Sequence, residues 1–340
     1  MKPDLRSLTF NELEKALESM GEPRFRAKQL FTWIQEKGST SFDEMRNIPK
    51  ELREKLNENF AINSLTTLEV LSSKDGTKKY LFGLPDGNKI ESVLLEDEGR
   101  KTICISTQVG CRMKCAFCAS ARIRYKRNLT PGEIISQVIE IEKENGKISN
   151  LVFMGIGEPF DNYEKVLKSM RILMHPLGKN IGQRKITVST CGLPMEIKLF
   201  AAEGLQVRLA VSLNATEGKE RNRLMPINKK HRIRDVIEAL KYYEKLSGRR
   251  ATIEYLLINE RNDSEEDAKR LVQLLKDLKA NVNLITFNPF EGSYFASPDQ
   301  KKIKVFKNIL EAAKIEVSQR FRRGTDINAA CGQLAGKGKK

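Results

Sequence analysis

The chain has 340 residues, 40% of them apolar and 31% charged. That supplies enough side chains for burial to offset chain entropy, so a wholly disordered chain is excluded. Sixty Lys and Arg against 44 Asp and Glu leave a net charge of +16 spread along the sequence, which favours a polyanionic partner, nucleic acid first, over a plain solvated basic surface. No apolar run reaches the roughly 18 residues of a membrane span, and Met1-Lys2-Pro3-Asp4 lacks the pattern of a secretory signal, so a cytoplasmic protein is expected.

Residues 1–62 read as a helical accessory domain. Thr9 with Glu12 makes a capping box, and Phe10, Leu13, Leu17 and Met20 recur at helical spacing before Gly21. A second helical run carries Phe25, Leu30, Phe31 and Ile34; a third carries Phe42, Met45, Leu52, Leu56 and Phe60, broken near Pro49. Arg24, Arg26, Lys28, Arg46 and Arg53 would let this unit grip a phosphate backbone, although mere packing on the main domain is an equal reading. Residues 63–100 read as a β-meander linker, its short runs broken by the hairpin dipeptides Asp75-Gly76 and Asp86-Gly87. It delivers Glu91, which by itself is a solvated strand residue.

From 101 to 325 the class is α/β. Strand-like runs at 102–107, 151–154, 185–190, 206–212, 252–256 and 282–287 alternate with helical stretches, six βα units in all, with room for a further strand at 315–319. Such repetition implies a parallel sheet, open or curled towards a barrel, with its ligand site at the carboxyl ends of the strands. Residues 326–340 form a closing segment.

Six cysteines, three of them within eight positions, suit metal or catalysis better than a disulfide framework. Cys111, Cys115 and Cys118 follow the first of these strands in a loop. Thiolates spaced C-x3-C-x2-C can hold three irons of a cubane and leave the fourth open to substrate. A structural zinc site would ask for four closed ligands, and His175 and His231 are far away in sequence. Taken alone, Cys104 is a buried strand cysteine, Cys331 a small packing residue, Cys191 a buried thiol and Gly155-Ile156-Gly157 a tight turn.

The cysteine spacing resembles the radical S-adenosylmethionine superfamily. From about residue 20 onward the chain resembles, more narrowly, the RlmN and Cfr group of RNA adenine methyltransferases, in Gly21-Glu22-Pro23-Arg24-Phe25-Arg26, Gln108-Val109-Gly110-Cys111, Lys126-Arg127-Asn128-Leu129-Thr130, Met154-Gly155-Ile156-Gly157-Glu158-Pro159, Arg223-Leu224-Met225-Pro226-Ile227-Asn228, Asn288-Pro289-Phe290 and Ala329-Ala330-Cys331-Gly332-Gln333-Leu334. The resemblance implies a partial (βα)6 barrel, a 4Fe-4S cluster on Cys111, Cys115 and Cys118, and two S-adenosylmethionine molecules per turnover. Gly157 and Glu158 would meet the cofactor's amino group, a natural partner for a carboxylate. Ser189, Ser212, Leu213 and Asn288 match other cofactor positions, and Asn214 stands where the family usually has His. Cys331 would take a methyl group and carry it to adenine by a radical step. Cys104 would then attack the Cys331 sulfur and release product as a disulfide forms, with Glu91 as proton acceptor.

The implied substrates are an adenosine in the peptidyl transferase region of 23S ribosomal RNA and the transfer RNA adenosine 3' to the anticodon, each leaving its stack to react. A donor such as flavodoxin or ferredoxin would supply the electron to a monomeric enzyme, and residues 122–127, 229–234, 249–250 and 320–323 are basic clusters suited to phosphates. Ile156 replaces a commoner Met, and Arg122-Ile123-Arg124 a glycine-rich stretch. Val109 and the Gly155–Pro159 turn look more like the branch that methylates C2 than the Cfr branch that methylates C8. Radical chemistry on a non-RNA substrate and a zinc-dependent RNA-binding module are the rivals from other classes.

Overall fold

The computed structural model describes residues 2–320 and 322–335. The amino-terminal helices form where their caps require. Thr9 Oγ1 accepts from the Glu12 amide at 3.3 Å and the Glu12 carboxylate accepts from the Thr9 amide at 2.8 Å, closing a capping box on α1 (Phe10–Glu18). α2 (Arg24–Phe31) runs on into a π turn at Thr32–Glu36, and the third run splits into a 3-10 turn at Phe42–Glu44 and α3 (Lys50–Asn59). Their apolar faces, including Leu13, Leu17, Leu30, Phe31 and Leu56, join the same core as the sheet residues that follow. Fully buried Arg6 fastens the unit, donating to Ser39 O at 2.8 Å and Asn63 O at 2.9 Å.

β1 (Thr66–Ser72), β2 (Lys78–Gly83) and β3 (Lys89–Asp97) pair antiparallel across the two Asp-Gly turns, and β3 pairs antiparallel with β4 (Arg100–Cys104). The meander is thus hydrogen-bonded into the main sheet, with Val93 opposite Cys104. A two-residue ribbon of β5 (Gln108–Val109) and β6 (Arg127–Asn128) brackets the cysteine loop. The chain then runs α4 (Pro131–Asn145), β7 (Asn150–Phe153), α5 (Tyr163–Met174), β8 (Ile186–Thr190), α6 (Pro194–Ala202) and β9 (Arg208–Ser212). It continues through α7 (Gly218–Leu224), α8 (Ile233–Ser247), β10 (Ala251–Leu257), α9 (Glu265–Leu275), β11 (Ala280–Thr286), α10 (Gln300–Ala312) and β12 (Val317–Arg320).

The result is one mixed ten-stranded sheet in the order β1-β2-β3-β4-β7-β8-β9-β10-β11-β12, parallel from β4 onward. Six parallel strands answer the six expected units and β12 is a seventh. β1 and β12 are the two edges, so the sheet stays open. Leu209, Ala210 and Val211, like Tyr255, Leu256 and Leu257, are buried in succession, as parallel strands covered on both faces must be. Because the strands are parallel, Cys104, Phe153, Thr190, Ser212, Leu257, Thr286 and Arg320 end at one rim. No helix among the described residues is long and apolar enough to cross a membrane.

Candidate active site

The cysteine loop is fixed by its backbone. Gly110 has φ +76°, and a Cβ there would lie 2.5 Å from Arg124 O, so only glycine fits. The Ala116 amide donates to Leu224 O at 2.9 Å and the Ala119 amide to Gly332 O at 2.7 Å. The loop turns Cys111, Cys115 and Cys118, each half-buried, towards a cavity of about 740 Å³ whose wall includes Met154, Gly157, Glu158, Ser189, Ser212 and Met225. Burial pushes all three thiols up, Cys111 to about 12, and their mutual proximity adds to the effect at Cys111 and Cys115. Ionising them here calls for a cationic partner.

The donor set suits a cubane. Among the described residues no three His, Cys, Asp or Glu side chains converge on one point, as a mononuclear zinc site requires; a cubane takes one thiolate per iron. Cys191, on the same cavity wall, is not a spare ligand. Its thiol is hydrogen-bonded to Glu158, and its amide donates to Glu158 Oε2 at 2.8 Å.

Glu158 is buried and also accepts from the Phe160 amide at 3.0 Å. Burial pushes its carboxyl above the usual range, while the backbone bonds from Cys191 and Phe160 oppose that. The turn before it is tight: at Gly157, φ +110°, a Cβ would lie 2.7 Å from the Gln108 side chain. Gly157, Glu158, Ser189 and Ser212 therefore line the cavity of the three cysteines. Leu213 and Asn214 do not. Leu213 is buried with its amide on Glu254 O at 3.0 Å. Asn214, at φ +56°, accepts from the Leu256 amide at 2.9 Å and ties the end of β9 to β10; Asn is among the few residues that tolerate that backbone.

A second cavity of about 760 Å³ is lined by Cys104, Asn288, Arg320 and Cys331 among others. Met154, Ile285 and Cys331 line both cavities. The segment carrying Cys331 is pinned by Ser120 Oγ on Leu334 O at 2.7 Å, Asn288 Nδ2 on Cys331 O at 3.1 Å and Gln333 Nε2 on Pro289 O at 2.7 Å. Cys331 is exposed, yet the protein crowding its sulfur pushes the thiol to about 11, and burial pushes Cys104 to about 12; Arg320 opposes both shifts. All six cysteines are free, so the Cys104–Cys331 disulfide implied by the resemblance is not formed in this structure. Glu91 is not on the wall of either cavity. It is fully buried, 3.3 Å from Lys79 Nζ, and accepts from the Ala335 amide at 2.8 Å.

In the basic cluster at 320–323 each arginine has a protein partner, although Arg322 is exposed. Arg320 pairs with Glu254, Arg322 donates to Phe287 O at 3.0 Å and Arg323 pairs with Asp97 at 2.6 Å. Arg122 likewise donates to Glu291 O at 2.7 Å and lies 4.9 Å from the Phe290 ring centre. Sequence reasoning passed over Met154, Glu254 and Arg320 as site residues. A glutamate between Ile253 and Tyr255 of a buried strand was the available signal, because such a charge needs a partner.

An open parallel sheet with a three-thiol loop after its first parallel strand and a glycine–acid turn after the next defines a radical S-adenosylmethionine protein, and residues 105–272 match the family model described as the Radical SAM superfamily. Residues 3–62 match the ribosomal RNA large subunit methyltransferase N-terminal domain. The chain is 45% identical to the probable dual-specificity RNA methyltransferase RlmN of Bacillus cytotoxicus, covering 100% of this chain and 95% of that protein. It is 47% identical to the Thermotoga neapolitana counterpart, covering 97% of each. Against the dual-specificity RNA methyltransferase RlmN of Pelobacter propionicus it is 45% identical over 99% of this chain and 96% of the relative. The crystal structure of a radical SAM methyltransferase from Sphaerobacter thermophilus superposes with a TM-score of 0.94 at 42% identity, covering 98% of this chain and 100% of that one. The chain belongs to the RlmN family of radical SAM RNA methyltransferases.

Proposed function

We propose that this enzyme methylates C2 of an adenosine in the peptidyl transferase region of 23S ribosomal RNA and of the transfer RNA adenosine 3' to the anticodon, with Cys331 as methyl carrier. The observation that carries the reading is the position of Cys331 on the wall of both cavities, the three-cysteine one and the one it shares with Cys104. A residue that takes a group in one chamber and delivers it in another has to stand between them. The relatives' names, dual-specificity RNA methyltransferases, support the two RNA substrates.

Cys111, Cys115 and Cys118 would hold the cluster, and Glu158 the ammonium of S-adenosylmethionine. Cluster and cofactor together supply a methyl cation equivalent, an electron-driven cleavage and a hydrogen-abstracting radical. The protein's share is to present Cys331 as a thiolate, exclude water from the buried strand ends, and set the Cys104 thiolate to attack the Cys331 sulfur so that product leaves as those two sulfurs join. Glu91 is the proton acceptor in this reading, residues 1–62 help grip the RNA, a flavodoxin- or ferredoxin-like donor supplies the electron, and the enzyme acts as a cytoplasmic monomer consuming two cofactor molecules per turnover.

The test is anaerobic reconstitution with methyl-labelled cofactor, then assay on protein-free ribosomal RNA and on transfer RNA. Label is expected on Cys331 first and on adenine second, with digested RNA yielding 2-methyladenosine. A Cys331→Ala variant that still methylates RNA would sink the carrier mechanism. Product that is only 8-methyladenosine would overturn the assigned position, and unlabelled transfer RNA the second substrate.

A further inference from the structure

Arg221 has no solvent exposure. Its guanidinium is spent on neutral acceptors: Nε on Leu213 O at 3.0 Å, Nη1 on Asn228 Oδ1 at 3.1 Å and His231 O at 3.3 Å, Nη2 on Cys191 O at 2.7 Å and Ser212 O at 3.3 Å. Among the described residues no carboxylate pairs with it. Burial disfavours its charge, while the thiols of Cys191 and Cys115 favour it.

The hydrogen bonds explain a staple, since they join the loop after β8 to the end of β9. They leave the charge unexplained. A buried cation without a counter-ion is costly, and a neutral donor would satisfy carbonyls without that cost. The remaining geometry shows what the charge faces. α7 carries Arg221 and, one turn later, Leu224, whose carbonyl accepts from the Ala116 amide at 2.9 Å, immediately after Cys115. Arg221 does not line the three-cysteine cavity, but its acceptors Cys191 and Ser212 do. Cys191 is itself committed to Glu158 through its amide at 2.8 Å. The cation is therefore fixed against the wall that holds Cys115 and Glu158, with no side-chain freedom left to move away.

We propose that Arg221 is the built-in counter-charge of the three-cysteine site, a positioning residue that raises the reduction potential of the cluster held there. The inference rests on the cluster reading given above. Three thiolates outweigh the charge of an oxidised cubane core, and each added electron makes the assembly more negative. A fixed cation in a low-dielectric surround stabilises the more negative state more than the less negative one, so it favours reduction. Without it the cluster would demand a stronger reductant.

Three variants of the full chain separate charge from stapling. Arg221→Gln removes the cation, and Arg221→Lys keeps a charge while losing the planar fork. Asn228→Asp keeps the guanidinium but gives it a carboxylate at the atom that now accepts from Nη1. The readout is the midpoint potential of the reconstituted cluster, followed by electron paramagnetic resonance in a redox titration, beside iron and sulfide content. Arg221→Gln and Asn228→Asp are expected to move the potential to more negative values, with Arg221→Lys close to wild type. Full cluster content with unmoved potentials in both charge-altering variants would reduce Arg221 to a staple and overturn the proposal. If Arg221→Gln does not fold, Asn228→Asp decides. A wild-type chain that takes up no iron or sulfide would instead overturn the cluster reading itself, a result distinct from an unmoved potential.

Discussion

Arg320 and Glu254 are paired at 3.0 Å across the partition between the two cavities, Arg320 on the wall shared with Cys104 and Glu254 on the wall of the three cysteines. Arg320 also places Nη1 3.4 Å from Met154 Sδ, so one side chain touches the partition residue and the thiols of Cys104 and Cys331 both feel its charge.

The thiolate is the reactive form of a cysteine, so the sign follows directly. Burial raises Cys104 and Cys331, Arg320 lowers both, and Glu254 raises Cys331. Arg320→Gln should therefore slow iodoacetamide labelling of both cysteines at pH 8, about tenfold for each unit of upward shift, while Glu254→Gln should speed labelling of Cys331. In wild type, labelling of Cys331 should keep rising with pH until about 11 and that of Cys104 until about 12. Peptide mass spectrometry on cluster-free protein reads both sites. Unchanged rates in Arg320→Gln would remove it from thiolate control.

Gly110→Ala should fold but lose most of its iron. The substitution forces a left-handed backbone on alanine, costing about 1–2 kcal/mol, and drives a methyl group to within 2.5 Å of Arg124 O. Both effects fall on the entry to the cysteine loop, away from the main core. The check is iron per chain after reconstitution beside the far-ultraviolet circular dichroism spectrum; normal iron uptake would show that the loop tolerates a Cβ.

What could be read from the chain was what is local in it. The capping box at Thr9, the Asp-Gly turns and the C-x3-C-x2-C loop are each set by a few adjacent residues, and the structure has them where the spacing put them. Contacts across long separations were less legible. The bond by which Asn214, at positive φ, holds the Leu256 amide of β10 could not be read from its own neighbours. Arg320 looked like a phosphate grip because its partner, Glu254, lies 66 residues away. The meander looked like a linker because nothing in its own residues says that β3 will pair with β4 and set Val93 against Cys104. That Cys104 and Cys331 belong together came from the resemblance, not from spacing or composition.

Glu91→Gln separates a structural from a chemical role. The carboxylate is buried against Lys79, itself buried, and holds the Ala335 amide. Removing one charge of a buried pair costs about 3–5 kcal/mol, so Glu91→Gln should melt lower than wild type. The double variant Lys79→Met with Glu91→Gln should recover much of that loss. If Glu91 accepts a proton during turnover, the double variant still forms methylated Cys331 but releases no methylated RNA. A stable double variant with normal RNA product would leave Glu91 as an anchor for the carboxyl-terminal segment.

Asp75 governs the same segment from its other end. Its carboxylate accepts from the Gly324 amide at 2.7 Å and the Thr77 amide at 2.9 Å. Partial burial works against ionisation, but these bonds win and hold the carboxyl at about 2. The unfolded value is about 3.9, so the folded state binds this proton less readily. The stabilising contribution is therefore complete above the unfolded value and is lost as pH falls towards 2. Hydrogen exchange across residues 322–335, corrected for its intrinsic pH dependence, should quicken between pH 4 and 2 in wild type. Asp75→Asn should show faster exchange at neutral pH by a few-fold and lose that acid step, while the separate bond from Ser73 to Asp326 at 2.6 Å keeps the segment from detaching. An acid step of the same size in Asp75→Asn would assign it to another carboxylate, with Asp326, also held below its usual range by the Ser73 bond, the next to replace.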